Sequence, residues 1–255
     1  MKMKFTPLDY SQVQQNDSVV VLCGGPSTQI YANRVKQYIC DNKSVTISAN
    51  YDYNHLGVKT DYTYITDTYK LLELVGFLKT SLIIPAEPKT DRIYKQLVRF
   101  KMRLYKDRIE RLIKTRFKGP PNVLVAGTKD VRTTVYDSKG KPYDIKINED
   151  GSFPYRRFGS AGQGAIILSL VFRPKKILII GLDGPSASDI THKYMYDGTL
   201  VKYGDKSKFR SAKNYIQNVL IPSVLSKGVE IETFRNVRFY GTSRHKMGIK
   251  VLESK

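Results

Sequence analysis

The sequence predicts an α/β protein with a mostly parallel β-sheet and helices on both of its faces. Runs of consecutive apolar residues at Ser18–Cys23 and Lys175–Gly181 are typical of strands buried on both faces of a parallel sheet. Each run ends in a glycine-containing turn, and the first is followed by a segment with helical spacing. The 255 residues, 41% hydrophobic and 26% charged, exclude a disordered chain and allow one large domain.

The first half of the chain supplies most of the expected strands. After Ser18–Cys23, a helical stripe is formed by Ile30, Val35, Tyr38 and Ile39. Further strands are expected at Ser44–Asn50, at Asp61–Asp67, which alternates with period two, and at Ser81–Ala86. A strand is also expected at Val123–Gly127, followed by a hairpin with its turn near Gly140.

The α/β pattern resumes at Gly159. A glycine-rich turn and a buried helix are expected over Gly159–Phe172, before the strand at Lys175–Gly181. A polar loop carrying His192, a helix at Lys208–Leu225, a last strand at Val229–Phe234 and a basic tail follow. We therefore expect a single Rossmann-like α/β domain over residues 1–255.

Residues 87–153 interrupt this pattern and are interpreted as an inserted basic lid of helices and a hairpin. Between Lys89 and Lys118 there are twelve basic and three acidic residues, a net of +9, with apolar residues at helical spacing. Aromatic side chains between the cations suit contact with a nucleic-acid backbone, and the same pattern suits an anionic lipid surface or a solvated helix face. Arg99, Arg103 and Lys106 are the candidate acceptor-binding residues.

The charge of the whole chain indicates a polyanionic partner. The formal net charge is +20, which favours nucleic acid, an acidic membrane surface or a phosphorylated small molecule over a merely soluble basic surface. No apolar run approaches the roughly 18 residues of a membrane span, and no apolar segment follows the first residues as in a signal peptide. With two cysteines and no disulfide framework, we expect a cytoplasmic protein.

Two glycine-rich turns are candidate binding sites for a phosphate-bearing cofactor. The first is Gly24, Gly25, Pro26 and Ser27, directly after the first strand, where a backbone without side chains can approach a phosphate or ribose. It is not the dinucleotide fingerprint, so NAD is not implied. The second is Ser160, Ala161, Gly162 and Gln163 at a loop-to-helix junction. Both turns are also compatible with a tight turn or close helix–sheet packing.

Polar residues at the expected ends of strands form a third candidate group. Asn50, Asp67 and Asp183 would lie at the carboxyl edge, where open α/β sheets bind ligands. The two carboxylates would hold Mg²⁺, orient a ribose, act as a base or simply cap a helix. His192 suits general acid–base work near neutral pH, although a loop histidine without a partner is often incidental. Whether a divalent metal is used stays open.

These motifs together resemble the bacterial sialyltransferases of glycosyltransferase family 42 and the related pterin diphosphokinase-like proteins of archaea. The resemblance covers residues 19–50 and 159 to about 234, and is closest over Gly159–Gly184. It implies that Gly25, Pro26, Ser27 and Asn50 contact a nucleotide donor, that residues 160–162 face the nucleotide, and that His192 is the catalytic histidine. Ala161 stands where the family has serine, and Gly184 and Pro185 replace tyrosines, for which Tyr194 or Tyr196 would substitute.

The leading function hypothesis is a glycosyltransferase with a nucleotide-sugar donor, in which His192 and Asp183 are the catalytic residues. The charge favours an anionic acceptor, and DNA carrying a modified base, as in phage-type enzymes, is favoured slightly over a glycolipid or lipopolysaccharide. The alternatives are an ATP-dependent diphosphokinase of the pterin type and a non-catalytic nucleic-acid-binding module.

Overall fold

A computed structural model describes residues 5–7, 14–51, 53–64, 81–85, 123–126, 160–184, 191–193, 200–202, 213–235, 237, 239 and 247–253. Its strands, in chain order, are β1 Phe5–Pro7, β2 Ser18–Leu22, β3 Val45–Ala49, β4 Tyr62–Tyr64, β5 Ser81–Pro85, β6 Val123–Ala126, β7 Lys176–Ile180, β8 Thr191–Lys193, β9 Leu200–Lys202, β10 Glu230–Phe234 and β11 Lys250–Leu252. Its α-helices are α1 Ser27–Ile30, α2 Ala32–Asn42, α3 Ala161–Ser169 and α4 Ile221–Leu225. A π-helical stretch, Ile216–Leu220, leads into α4, and 3₁₀ turns occupy Asn54–Leu56 and Leu170–Phe172.

Nine of the described strands form one sheet in the order β1-β6-β5-β4-β3-β2-β7-β10-β11, and every neighbouring pair is parallel. The short strands β8 and β9 form a separate antiparallel pair. A parallel sheet requires crossover connections between its strands, so this arrangement confirms the predicted α/β class. No helix within the described residues is long and apolar enough to cross a membrane.

Helices cover both faces of the centre of the sheet. On β2, the Ser18 hydroxyl lies 3.4 Å from the Tyr38 hydroxyl of α2. Directly after β2, Cys23 lies against Gly162 of α3. Ser18 and Cys23 are an odd number of residues apart, so their side chains point to opposite faces. Consequently Val19, Val20, Val21 and Leu22 are all fully buried, as the continuous apolar run predicts.

The helical stripe predicted after β2 is correct in its second half and wrong at Ile30. Val35 and Tyr38 are buried on α2, whereas Ile30 is 72% exposed. The reason is a break at Tyr31, whose φ of −104° and ψ of 14° separate α1 from α2 and rotate Ile30 away from the core.

The strand expected to alternate from Asp61 is buried on both faces within β4, since the neighbouring residues Thr63 and Tyr64 are both fully buried.

Three further differences concern short elements. His192 was expected in a loop, but Thr191–Lys193 is a strand because Leu200–Lys202 lies close enough along the chain to pair with it. The short strands β1 and β11 were not predicted, since three residues carry too little pattern to be recognised. The strand expected at Val123 is confirmed as β6, and it joins β5 to β1 within the main sheet. The other residues of the predicted lid, 87–122 and 127–153, lie outside the described residues.

Candidate functional site

The candidate site lies at the carboxyl ends of β2 and β7, where the strand order reverses. From β2 the chain adds β3, β4, β5 and β6 on one side, and it later returns to add β7 and β10 on the other. In open α/β sheets, ligands bind in the crevice outside the strand ends at such a reversal. Here the crevice is bordered by residues 23–27 after β2 and residues 181–184 after β7, so the first glycine motif and Asp183 meet at one place.

Three hydrogen bonds join the two loops directly. The Gly25 N–H donates to the Gly181 carbonyl at 2.8 Å, and the Ser27 N–H donates to Asp183 Oδ2 at 2.9 Å. The Ser27 hydroxyl oxygen accepts in turn from the Gly181 N–H at 2.9 Å. Asp183 therefore lies at the amino end of α1 and caps this helix, which is one of the roles that the sequence left open for it. Because these N–H groups bond within the protein, they are not available as donors to a ligand.

Close packing explains the glycines at this junction. A Cβ on Gly25 would collide with the Asp183 carboxylate and would lie 2.5 Å from the Gly181 carbonyl oxygen. Gly181 has a φ of +79°, and a Cβ there would collide with the Cys23 carbonyl and the Thr28 hydroxyl. Both residues must therefore be glycine for the two strand ends to approach each other this closely.

The second glycine motif forms the amino end of α3 beside the same loops. Ser160 caps the helix: its hydroxyl accepts from the Gln163 N–H at 3.3 Å, and the Gln163 side-chain oxygen accepts from the Ser160 N–H at 3.2 Å. This reciprocal capping fixes the backbone of the first turn. No described residue accepts a hydrogen bond from the N–H groups of Ala161 and Gly162. They remain as donors at the positive end of the helix dipole.

Gly162 holds the end of α3 against the end of β2. A Cβ at this position would lie 2.9 Å from Cys23 Sγ and 3.0 Å from a methyl carbon of Leu182. Burial, and secondarily the nearby Asp183 charge, raises the pKa of the Cys23 thiol far above its usual range. The thiol is therefore neutral at physiological pH, which makes Cys23 a packing residue rather than a nucleophile.

Asn50 follows β3 at the same edge in an unusual conformation. Its φ is +63°, in the left-handed region that asparagine tolerates better than most residues, and its N–H donates to the Tyr64 carbonyl at 2.9 Å. This bond ties the end of β3 to the end of β4. Asn50 is half-buried and lies at the carboxyl end of β3, and its contact with a ligand stays a prediction.

Tyr53, which sequence reasoning missed, is also a candidate. It is fully buried, and no described residue hydrogen-bonds its hydroxyl. Burial, followed by proximity to Cys23 and Tyr51, raises the pKa of that hydroxyl well above its usual value, so it is neutral. Tyrosines at positions 51 and 53, directly after a strand ending in Asn50, were the available signal. This hydroxyl is therefore a buried donor with no described acceptor, which makes Tyr53 a candidate site residue.

The remaining predicted site residues are not brought to this junction by the described part of the structure. His192 lies on β8 opposite Val201 of β9, in the separate two-stranded sheet. Asp67, Arg99, Arg103 and Lys106 lie outside the described residues. Within the described residues, no three His, Cys, Asp or Glu side chains come together as a metal-ligand group.

Comparison with known proteins adds no family to this geometry. The sequence matches no protein-family model and has no match among curated proteins.

Proposed function

We propose that the protein is a glycosyltransferase whose nucleotide-sugar donor binds at the crevice between β2 and β7. The observation that carries this proposal is the reversal of strand order at β2/β7 with the amino end of α3 beside it. A strand-order reversal provides the crevice, and a helix amino end with two N–H groups that bond to no described residue favours a phosphate. A Rossmann-like domain would bind a nucleotide in this crevice, with its phosphate at this helix end.

In this proposal each part of the site has one task. The N–H groups of Ala161 and Gly162 bind a donor phosphate, and Asn50 contacts its phosphate or sugar. The joined loops at Gly25 and Ser27 form the rigid floor of the crevice. Because the hydrogen bonds of these loops are made within the protein, the floor needs little reorganisation when the donor binds.

The transfer step breaks the bond between the anomeric carbon and the phosphate oxygen of the donor. The proposal requires the β8–β9 pair to bring His192 to the crevice, where it takes the proton from the acceptor hydroxyl, whose oxygen then forms the new bond to the anomeric carbon. The negative charge left on the nucleotide phosphate is stabilised by the amino end of α3. Asp183 is the described carboxylate at the crevice, and it would be an oxygen ligand for a divalent cation if one is used.

Thermal unfolding with a panel of nucleotides and nucleotide sugars tests the proposal. At a ligand concentration about one hundred times Kd, one member of the panel should raise Tm by about 5 °C. The same member should be hydrolysed slowly by the wild-type protein, and His192→Ala should lose hydrolysis while keeping the Tm shift. A panel in which nothing raises Tm would show the proposal to be wrong.

Asp183 at the crevice also suits the alternative of an ATP-dependent diphosphokinase, which needs carboxylates for Mg²⁺. Consumption of ATP that depends strictly on a divalent metal, without hydrolysis of any nucleotide sugar, would select this alternative. Binding of nucleic acid that is unaffected by His192→Ala, without any nucleotide response, would instead select a non-catalytic binding module.

A further inference from the structure

The corner where α1 meets α2 presents an exposed surface beside the candidate site. We call it the α1–α2 corner, and it consists of Pro26, Gln29, Ile30, Tyr31, Asn33 and Arg34. At 72% exposure, Ile30 is the one large hydrophobic residue that the described part of the chain leaves exposed. Pro26, Gln29 and Asn33 are also exposed, whereas Tyr31 and Arg34 are half-buried. An apolar side chain between two amides and an arginine is suited to a ligand with both apolar and polar parts.

Arg34 is held in place by aromatic rings. Its guanidinium carbon lies 4.2 Å from the centre of the Phe234 ring and 5.8 Å from that of Tyr31, and these two rings are themselves 5.2 Å apart. One of its nitrogens, Nη2, donates to the Glu253 backbone carbonyl at 2.7 Å. Among the described residues no carboxylate pairs with Arg34, so its positive charge is fixed in position and available to an anion.

The charges around the corner favour an anionic ligand. The chain has no acidic residue between Gly24 and Cys40. Arg235 is nearby and exposed, and its guanidinium lies 3.8 Å from the Glu253 carboxylate, an exposed pair that solvent screens. Among the described residues, the Asp183 carboxylate at the amino end of α1 and the exposed Glu253 both oppose an anion here, and Glu253 provides a way to test the charge of the ligand.

The α1–α2 corner lies at the same edge of the sheet as the candidate site. α1 begins at Ser27, which is bonded to the loop after β7, and Phe234 ends the neighbouring strand β10. Neighbouring strands are about 4.8 Å apart, so the Arg34–Phe234 stack lies within roughly 10 Å of the crevice across the sheet. A ligand on this corner would reach the site of transfer.

We propose that the α1–α2 corner binds a single-stranded segment of nucleic acid, with Arg34 on a phosphate and Ile30 and Tyr31 against bases. A duplex hides the faces of its bases, so an apolar and aromatic surface favours an unpaired strand. The net charge of +20 agrees with a nucleic-acid partner. The inference rests on the proposed function, because it makes this strand the acceptor.

Fluorescence anisotropy with a labelled oligothymidylate of about twelve nucleotides, in about 0.15 M salt, tests the inference. Arg34→Gln should weaken binding about tenfold through loss of the phosphate contact. Ile30→Ser should weaken it about fivefold through loss of apolar contact. Glu253→Gln should tighten it about twofold, because a repelling charge is removed. A purely structural role of these residues would not produce this gain.

The matched control is Lys59→Gln, which removes one charge from an exposed lysine before β4, at the opposite edge of the sheet. It should change binding less than about twofold, because it removes only general electrostatic attraction. If Arg34→Gln and Ile30→Ser bind like Lys59→Gln, the corner is not the binding surface. Equal binding of a duplex, or equal competition by phosphatidylglycerol vesicles at the same phosphate concentration, would also overturn the assignment. A nucleotide-sugar response that survives such a result leaves the proposed function standing.

Discussion

Replacing Gly25 by alanine should destabilise the fold by forcing apart the ends of β2 and β7. The new methyl group would collide with the Asp183 carboxylate and lie 2.5 Å from the Gly181 carbonyl oxygen, which is backbone and cannot rotate away. Overpacking of this kind costs about 1–3 kcal/mol, and each hydrogen bond lost between the loops costs about 1 kcal/mol more. We therefore expect the free energy of unfolding to fall by about 3 kcal/mol and Tm by about 6–12 °C.

Urea unfolding of Gly25→Ala and of a matched variant, Gly228→Ala, measures this effect. Gly228 has a φ of +74°, but a Cβ there meets nothing within 4 Å, so its replacement should cost only the conformational strain of about 1 kcal/mol. The binding of nucleotide sugars should be lost in Gly25→Ala and kept in Gly228→Ala. If Gly25→Ala is no less stable than Gly228→Ala, the close approach of the two loops is not what the glycine provides.

Two further predictions concern buried polar groups. Ser27→Ala removes the acceptor of the buried Gly181 N–H and should lower the free energy of unfolding, measured with urea, by about 1–3 kcal/mol. The control Ser226→Ala, at an exposed turn, should lower it by less than about 0.5 kcal/mol. Equal losses in the two variants would contradict the role given to the Ser27 hydroxyl. Burial alone would raise the pKa of Glu232, but hydrogen bonds from Tyr38, at 2.5 Å, and from Lys250 lower that pKa in the folded protein. The ionised Glu232 therefore stabilises the fold above its unfolded pKa. This stabilisation is lost as pH falls through the lower folded pKa. Glu232→Gln should therefore lower stability at pH 7 by about 1–2 kcal/mol and flatten the loss of stability in acid, and unchanged urea midpoints across acidic pH would contradict this.

The centre of the sheet was predictable from the sequence because β2 and β7 are buried on both faces. The runs at Val19–Leu22 and Ile177–Ile180 contain only apolar residues, and helices cover both faces of the sheet there. Their β-branched residues favour a strand, whereas the apolar run Ala165–Leu168, which follows a glycine-rich turn, forms the buried helix α3. The glycine turns after β2 and before α3 were recognisable for a similar reason, because glycines in those positions mark close backbone approach.

The hydrogen bonds of the site were not predictable, since they join residues far apart in the chain. Ser27 and Asp183 are separated by 156 positions, and no local pattern shows that the Ser27 N–H donates to that carboxylate. The exposure of Ile30 depends likewise on a break at Tyr31, which the helical spacing does not reveal. The hydroxyl of Tyr53 became a candidate only when its burial was known.

The sequence by itself determined the α/β class, the main strands and the residues that end them, because strand burial and glycine turns are encoded locally. Only the tertiary structure decided the strand order and its reversal at β2/β7, which brings Gly25, Ser27 and Asp183 to one crevice. It also placed Arg34 on the Phe234 ring at the same edge. The physical reason is that strand order and side-chain contacts arise from packing between distant segments, and a linear pattern of apolar residues does not specify which segments those are.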